Sequence, residues 1–526
     1  MKIGLISPND KGSYRNANFL TENLGIGYLC AYLEERGHEV IMCDARFNDF
    51  SPQTAVKEMG SKSLDILGFS IWTGEGAEWC KQFLSHFIRK QKNIRIVLGG
   101  YFPTLQPERS FEILPHADVI VMGEGEEILC NLVSAFEKQK EWKDLHGIAY
   151  FSSKEKKVIT NARAKLLEDL DELPWPKRYL TEKMGEYDEV YLEGSRGCVF
   201  CCTFCAIRPF VGIGAGSAWR HRSAGDIVNE IKYLRQQNPT LKTFRFIDSD
   251  FIGPAEHARA EEFALLAKQE LPGIKFHAEG RAVSIAKSKC LLEKLKEAGL
   301  YRVYLGVESG SQRILNKMNK QTTVQENKDA IAVLKKLGID CTYGFIMFTP
   351  WTMEEDIEEN VKFLTEVGNI QMNKFFTELL LIPNTAAYKM ARSDFTISLK
   401  ENDTTYYTYP SLTTSVARIR EIGNILEKKR ADFMNKLWFI HRGIRNAHRR
   451  NLIETTSYEV GSNSLFLNIF DFCWKQAKEN TLPEIEIVNT CIENFTPQIT
   501  SFLNTLAEKN LLKVSSFTDE FQYNVS

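Results

Sequence analysis

Over the first 140 or so residues, short apolar runs alternate with stretches whose apolar positions recur every three or four residues. Ile3–Ile6, Glu39–Met42, Ile66–Phe69, Ile94–Leu98 and Val119–Val121 read as strands, each a compact run closed by turn-forming residues. Leu24–Glu35, Ala77–Arg89 and Glu126–Glu137 read as the helices between them. Five strands with crossover helices predict an α/β, doubly wound, Rossmann-like sheet over residues 1–145. Ligands of such sheets lie beyond the carboxyl ends of the strands. Here those ends carry Ser70, Thr73, Gly99, Gly100, Gly123 and Gly125. Small residues there let a backbone approach a flat or phosphorylated ligand.

A connector is expected over residues 146–185, marked by the charged run Glu168–Glu172 and by Pro174 and Pro176. A second alternating series covers residues 186–390. Its strands read as Val190–Glu193, Thr243–Asp248, Ile274–Ala278, Arg302–Gly306, Asp340–Phe348 and Phe375–Leu381. Its helices include Ser223–Arg235, Pro254–Gln269, Ser288–Gly299, Thr323–Gly338 and Met353–Val367. Six βα units predict an open, partial (β/α)6 barrel rather than a closed eightfold one. Residues 391–526 read as a mostly helical C-terminal region without an interpretable motif.

Composition narrows the function classes. Sixty-six basic and sixty-eight acidic side chains leave a formal charge of −2, which gives no electrostatic reason to expect a nucleic-acid partner. The local basic run from His441 to Arg450 has helical spacing and reads as a solvated face. Met1 to Pro8 reads as a strand rather than a signal peptide. The longest apolar candidate for a membrane span, Leu465–Trp474, is interrupted by Asn468 and Asp471. A cytoplasmic protein is therefore the expectation. Twelve cysteines without a secretory signal read as thiols in a reducing compartment, and four of them fall within eight positions, as metal ligands do.

That crowded segment is Gly197-Cys198-Val199-Phe200-Cys201-Cys202-Thr203-Phe204-Cys205, directly after the first predicted barrel strand. Cys198, Cys202 and Cys205 make a Cys-x3-Cys-x2-Cys spacing. Three thiolates on one loop can hold three irons of a cubane and leave the fourth open to a ligand. Phe200 and Phe204 would shield such a cluster. The rival is a cysteine-rich turn, or a zinc site with Cys201 as fourth ligand. Zinc is disfavoured because no second Cys or His pair follows at finger spacing. Cys201 is not needed for the spacing and reads as a spectator.

This loop, opening a series of βα units, resembles the radical S-adenosylmethionine superfamily. In that family the open iron chelates S-adenosylmethionine, and one electron from the cluster cleaves it to a 5′-deoxyadenosyl radical. The resemblance implies a [4Fe–4S] cluster, S-adenosylmethionine and an electron donor such as flavodoxin or ferredoxin. Tyr304-Leu305-Gly306-Val307-Glu308-Ser309-Gly310 resembles the family's fourth-strand segment, and His277-Ala278-Glu279-Gly280-Arg281 the end of its third. Glu279 and Glu308 are thereby candidates for ribose hydroxyls and Arg281 for the methionyl carboxylate. The alternative for each is an ordinary barrel-rim charge. Asp248 and Asp250 stand at the end of the second strand, where they can equally cap a helix. Leu381-Ile382-Pro383-Asn384-Thr385 resembles a Pro-Gly-Thr segment with Asn384 for glycine; Asn tolerates the positive φ such a turn needs.

A doubly wound domain before such a barrel resembles the cobalamin-binding branch of the superfamily. Glu22-Asn23-Leu24-Gly25-Ile26-Gly27-Tyr28-Leu29, Gly37-His38-Glu39-Val40, Gly99-Gly100 and Gly123-Glu124-Gly125-Glu126-Glu127 carry the likeness. The resemblance implies cobalamin at the sheet's ligand edge, near Ser70, Thr73, Gly99, Gly100, Gly123 and Gly125. No Asp-x-His-x-x-Gly segment is present, so cobalt without a histidine ligand is expected; a domain that kept the fold and lost the cofactor stays open. The function expected is methyl transfer to an unactivated carbon of a small-molecule or peptide substrate. Radical rearrangement, oxidation or cyclisation is the runner-up, and a non-catalytic iron–sulfur sensor or electron carrier the third reading. The catalytic residues and the substrate are not readable from the sequence.

Overall fold

The computed structural model describes all residues except 11–21, 61, 88–93, 186–187, 213–215, 254–257, 369, 400–404, 430, 450–455 and 509–526. The chain divides into two compact units. The first comprises Met1–Tyr304, Val333–Asp340 and Leu380–Thr408; the second comprises Leu305–Ala332, Cys341–Leu379 and Tyr409–Ser526.

The first unit begins with strands β1 (Lys2–Ser7), β2 (Glu39–Asp44), β3 (Ile66–Ser70), β4 (Arg95–Gly99) and β5 (Val119–Val121). All five pair in parallel, in the order β2-β1-β3-β4-β5. The pleat sends alternate residues to opposite faces. Ile6, Phe69 and Leu98 pack under the helix Gly74–Phe87, whereas Ile3, Ile66 and Val97 pack against helices Leu24–Glu34 and Glu126–Glu137. Both faces are covered, which is why these strands read as continuous apolar runs. Two further strands, β6 (Ile148–Ser152) and β7 (Lys157–Thr160), extend the same sheet as an antiparallel hairpin. The charged turn between them hides this hairpin in the sequence.

The barrel starts in the same unit. Strands β8 (Glu189–Leu192), β11 (Thr243–Phe246) and β12 (Lys275–Arg281) pair in parallel, with β11 central, while β9 (Ser195–Gly197) and β10 (Trp219–His221) form a separate two-stranded ribbon. Phe244, Phe246 and Phe276 face outward into a cluster with Phe251 and Phe263. The opposite register carries Glu189, Tyr191, Thr243, Arg245, His277, Glu279 and Arg281 into the lumen. Strands β13 (Leu300–Glu308) and β14 (Asp340–Phe345) follow, each passing from the first unit into the second. The helices Ala224–Gln237, Ala258–Glu270, Lys289–Glu297, Val324–Lys336 and Glu354–Val367 fall within a few residues of the expected ones. Positions 88–89 and 254–257 of the expected helices lie outside the described residues.

The expected sixth strand, Phe375–Leu381, is instead a 3-10 turn at Met372–Phe375 followed by a single parallel bridge between Phe348 and Glu378. The physical reason lies in the second unit, where Phe375 stacks on Phe470, ring centroids 4.6 Å apart. The aromatic start of the run anchors the C-terminal helices, while Thr377 and Leu379 still pair with Met347 and Phe348 through backbone hydrogen bonds. Those helices are Thr414–Lys429, Ala431–Arg449, Thr456–Glu479 and Glu484–Glu508. Most side chains of the basic run after His441 lie outside the described set. Among the described residues no helix is long and apolar enough to cross a membrane.

Candidate cluster and cofactor site

The three-cysteine segment is a loop between β9 and the short helix Ile207–Val211. Gly197 opens it with φ +84, paired opposite Trp219; a Cβ there would stand 2.2 Å from the carbonyl oxygen of Ala218. Only glycine fits that approach. The loop closes on itself through the Cys205 amide, which donates to the Cys202 carbonyl at 3.2 Å, and the Ala387 amide donates to the Thr203 carbonyl at 2.8 Å. Cys198, Cys202 and Cys205 are half-buried, whereas Cys201 is exposed and accepts from Arg208 Nη1. Among the described residues no three His, Cys, Asp or Glu side chains converge as ligands of a single metal ion. A cubane asks for something else, one thiolate on each of three irons spread around one loop, and this loop carries three half-buried thiols at Cys198, Cys202 and Cys205.

Arg281, at the end of β12, reaches this loop. Its Nη1 lies 3.2 Å from Cys202 Sγ, and its guanidinium covers the Phe200 ring at 3.6 Å. Two residues earlier on the same face, Glu279 accepts from Arg245 Nη2 at 2.9 Å. Burial raises the Glu279 carboxyl above the usual range despite that partner. Arg245 also reaches Tyr191 Oη at 3.4 Å. Arg245 and Tyr191 were not singled out in the sequence, although the alternation Thr243-Phe244-Arg245-Phe246 already places the arginine in the lumen. Asp248 is fully buried, accepting from the Gly194 amide and Ser195 Oγ. It holds the loop's entry strand rather than capping a helix. Burial pushes Asp250 up to about 6, a rise that the nearby Arg281 limits.

Glu308 lies in the second unit. It ends β13 at φ +70, a conformation that costs a non-glycine residue about 1–3 kcal/mol. Its carbonyl accepts from the Ile346 amide at 2.7 Å and its carboxylate pairs with Lys320 Nζ at 3.0 Å. Gly306 makes room for that pair, since a Cβ there would lie 2.7 Å from Lys320 Nζ. Asn384, in the first unit, adopts φ +66, the left-handed turn expected where relatives carry glycine.

The ligand edge of the N-terminal sheet is built mostly from backbone. Gly100, at φ +94, sits against Ile71, whose carbonyl oxygen would be 2.6 Å from a Cβ. Gly99 lies behind it, and Gly125 backs onto Leu29. Gly123, at φ +83, abuts the carbonyl of Phe210. Thr73 is fully buried, its hydroxyl accepting from the Gly76 amide and donating to Asp10. Ser70 is half-buried at the end of β3. Trp72, 47% exposed, leans on Tyr101, which stacks at 4.1 Å on Phe210 of the helix following the cluster loop. A small cavity of about 30 Å3 opens beside this edge, lined by Met122, Glu124, Glu127, Arg163, Leu166 and Val211 among others. The aromatic ladder and the cavity carried no signal in the sequence. The aromatic platform, with Trp72 half exposed at its end, offers a flat apolar face to a broad ligand.

Comparison with known proteins agrees with this geometry. The Radical SAM superfamily profile matches residues 192–364 and the B12 binding domain profile residues 13–133. An uncharacterized methyltransferase of Pyrococcus horikoshii is 30% identical over 370 residues, covering 69% of this chain and 77% of that protein. An anaerobic magnesium-protoporphyrin IX monomethyl ester cyclase of Rubrivivax gelatinosus is 32% identical over 354 residues, covering 64% of this chain. The chain spans 60% of that cyclase's length. The solved structure of the cobalamin-dependent S-adenosylmethionine radical enzyme OxsB, with aqua-cobalamin and S-adenosylmethionine bound, matches 97% of this chain and 79% of its own with a TM-score of 0.75; at 18% identity this is likeness of fold. The chain belongs to the radical SAM superfamily and carries a B12-binding domain. Its cofactors are a [4Fe–4S] cluster, S-adenosylmethionine and cobalamin.

Proposed function

We propose that this enzyme transfers a methyl group to an unactivated carbon of a small-molecule or peptide substrate. The observation that carries the reading is the stack of Tyr101 on Phe210, which sets the ligand edge of the N-terminal sheet against the helix leaving the cluster loop. Cobalamin beside a radical-generating cluster supplies a methyl donor that a carbon radical can use, whereas S-adenosylmethionine alone methylates nucleophiles.

In this reading Cys198, Cys202 and Cys205 hold three irons and Cys201 stays outside the set. Arg281 serves the methionyl carboxylate, and its hydrogen bond to Cys202 keeps a positive charge beside a cluster ligand. Glu279 and Glu308 serve the ribose; Glu279 is held in place by Arg245, and Glu308 by its strained turn and Lys320. Ser70, Gly99, Gly123 and Gly125 line the corrinoid edge, while Gly100 and Thr73 hold the backbone behind it, Gly100 against Ile71 and Thr73 through Gly76 and Asp10. An electron donor such as flavodoxin or ferredoxin reduces the cluster, and the protein works in the cytoplasm.

Ring closure or oxidation without methyl transfer is the second reading, favoured by the likeness to a cyclase. Methyl-labelled S-adenosylmethionine, supplied with a reductant and a metabolite or peptide extract, separates the two. Methyl transfer yields a labelled product with S-adenosylhomocysteine and 5′-deoxyadenosine together. 5′-Deoxyadenosine with an unlabelled product overturns it in favour of ring closure or oxidation.

A further inference from the structure

Arg163 is a half-buried cation with one end of its guanidinium closed off from solvent. Its side chain threads between two left-handed glycines: a Cβ on Gly212 would come within 2.9 Å of its Cγ, and one on Gly123 within 3.4 Å of its Nη1. A side chain on Gly212 would have to displace it, whereas one on Gly123 would only touch it. Nη2 donates to the Pro209 carbonyl at 2.6 Å, but Nη1 is closed off from solvent and has no acceptor. Among the described residues no carboxylate pairs with it. Burial alone lowers its pKa, with no opposing charge. Of the cavity's other cations, Lys165 is exposed and Arg196 is engaged, holding Glu126 at 2.8 Å and sharing Glu124 with Arg220. A guanidinium desolvated in this way is costly unless an anion completes it.

We infer that Arg163 binds the phosphodiester of cobalamin's nucleotide tail, at the rim of the cavity beside Gly123. The inference rests on the corrinoid reading of the N-terminal edge. The phosphodiester is the one formal anion on that cofactor, and a guanidinium offers its oxygens a directed, charge-assisted pair. The neutral amides on the corrin periphery would hydrogen-bond without supplying the missing charge.

Cobinamide keeps the corrin ring and its amides and lacks the phosphodiester, so it separates the two sources of oxygen acceptor. Binding of hydroxocobalamin and of aquocobinamide is measured by equilibrium dialysis on cluster-loaded wild type, Arg163→Gln and Arg163→Lys, with iron content as the check on the barrel. Arg163→Gln is expected to weaken cobalamin about 10- to 100-fold, as loss of a charged hydrogen bond does, and to leave cobinamide within about twofold by the same standard. Arg163→Lys, which keeps the charge, should recover part of the cobalamin affinity. Equal losses for both corrinoids would mean that Arg163 acts through its hold on Pro209, and no loss would mean that it touches neither; either overturns the assignment. A selective loss of cobinamide would assign Arg163 to a ring amide and overturn it too. Wild type that retains neither corrinoid overturns the cofactor reading of the edge, and this site with it.

Discussion

At the residue scale, the cluster loop makes the sharpest demands. Replacing Cys198, Cys202 or Cys205 by alanine is expected to abolish the iron–sulfur absorption, because each removes one iron's protein ligand. Cys201→Ala should keep about four irons per chain, since that thiol is exposed and turned to Arg208. Iron loss confined to the Cys201 variant would reverse the ligand set. Glu308→Gln should weaken S-adenosylmethionine binding about tenfold without changing iron content, a neutral amide being the poorer acceptor. Unchanged affinity would return Glu308 to a rim charge paired with Lys320. Asp250 makes a pH prediction. It loses its proton near 3.8 when unfolded and near 6 when folded, because of burial. Between those values the folded state holds more protons, so stability falls as pH rises and stays lower above 6. Asp250→Asn, with no charge to bury, should therefore unfold at higher temperature than wild type at pH 7.5, by up to about 3 kcal/mol. That advantage should vanish near pH 4; an advantage independent of pH would remove the charge from the explanation.

At the scale of elements, what was legible depended on how many faces each segment buries. The five parallel strands of the N-terminal sheet are covered on both sides and announce themselves as apolar runs, and the loop Gly197–Cys205 is legible because ligand spacing is local. The left-handed turn at Asn384 could be read because few residues tolerate it. The hairpin of β6 and β7 was hidden by its charged turn and one-sided burial, and the run Phe375–Leu381 was misleading because its aromatic rings face helices rather than a sheet. The partner of Glu279 comes from a strand 34 residues away and that of Glu308 from the turn after the next helix, 12 residues on, and no local pattern points to either. Gly100 belongs to this scale too. Its place at the strand end reads as space for a cofactor, yet that space is filled by the backbone of Ile71. Gly100→Ala should therefore destabilise the protein by more than about 2 kcal/mol, through backbone strain and overpacking. An alanine variant with wild-type stability would reopen the position as a cofactor contact.

At the scale of the whole first unit, the N-terminal sheet, the segment after it and the start of the barrel are joined by buried charge as much as by apolar packing. Arg178 bonds Glu22, ahead of the first helix, at 3.0 Å and Glu230, on the first barrel helix, at 2.6 Å; Glu230 in turn holds Arg222 at 2.6 Å. The glutamates are almost wholly enclosed, and Arg178 is 8% exposed. Burial by itself would lower the Arg178 pKa, yet Glu230 and Glu22 raise it. Such a pair is weak evidence of net stabilisation, but removing one member strands the others. Arg178→Met should leave Glu22 without its guanidinium and Glu230 with Arg222 alone, at a cost of about 3–5 kcal/mol. Because the contact joins elements far apart in sequence, the loss should also loosen their coupling. Calorimetry is expected to show an early transition, with hydrogen exchange rising in β1 to β5 before the barrel strands β8, β11 and β12. One sharp transition at the wild-type midpoint would mean that the apolar faces alone hold the two parts together, and that the arginine only satisfies carboxylates already trapped between them.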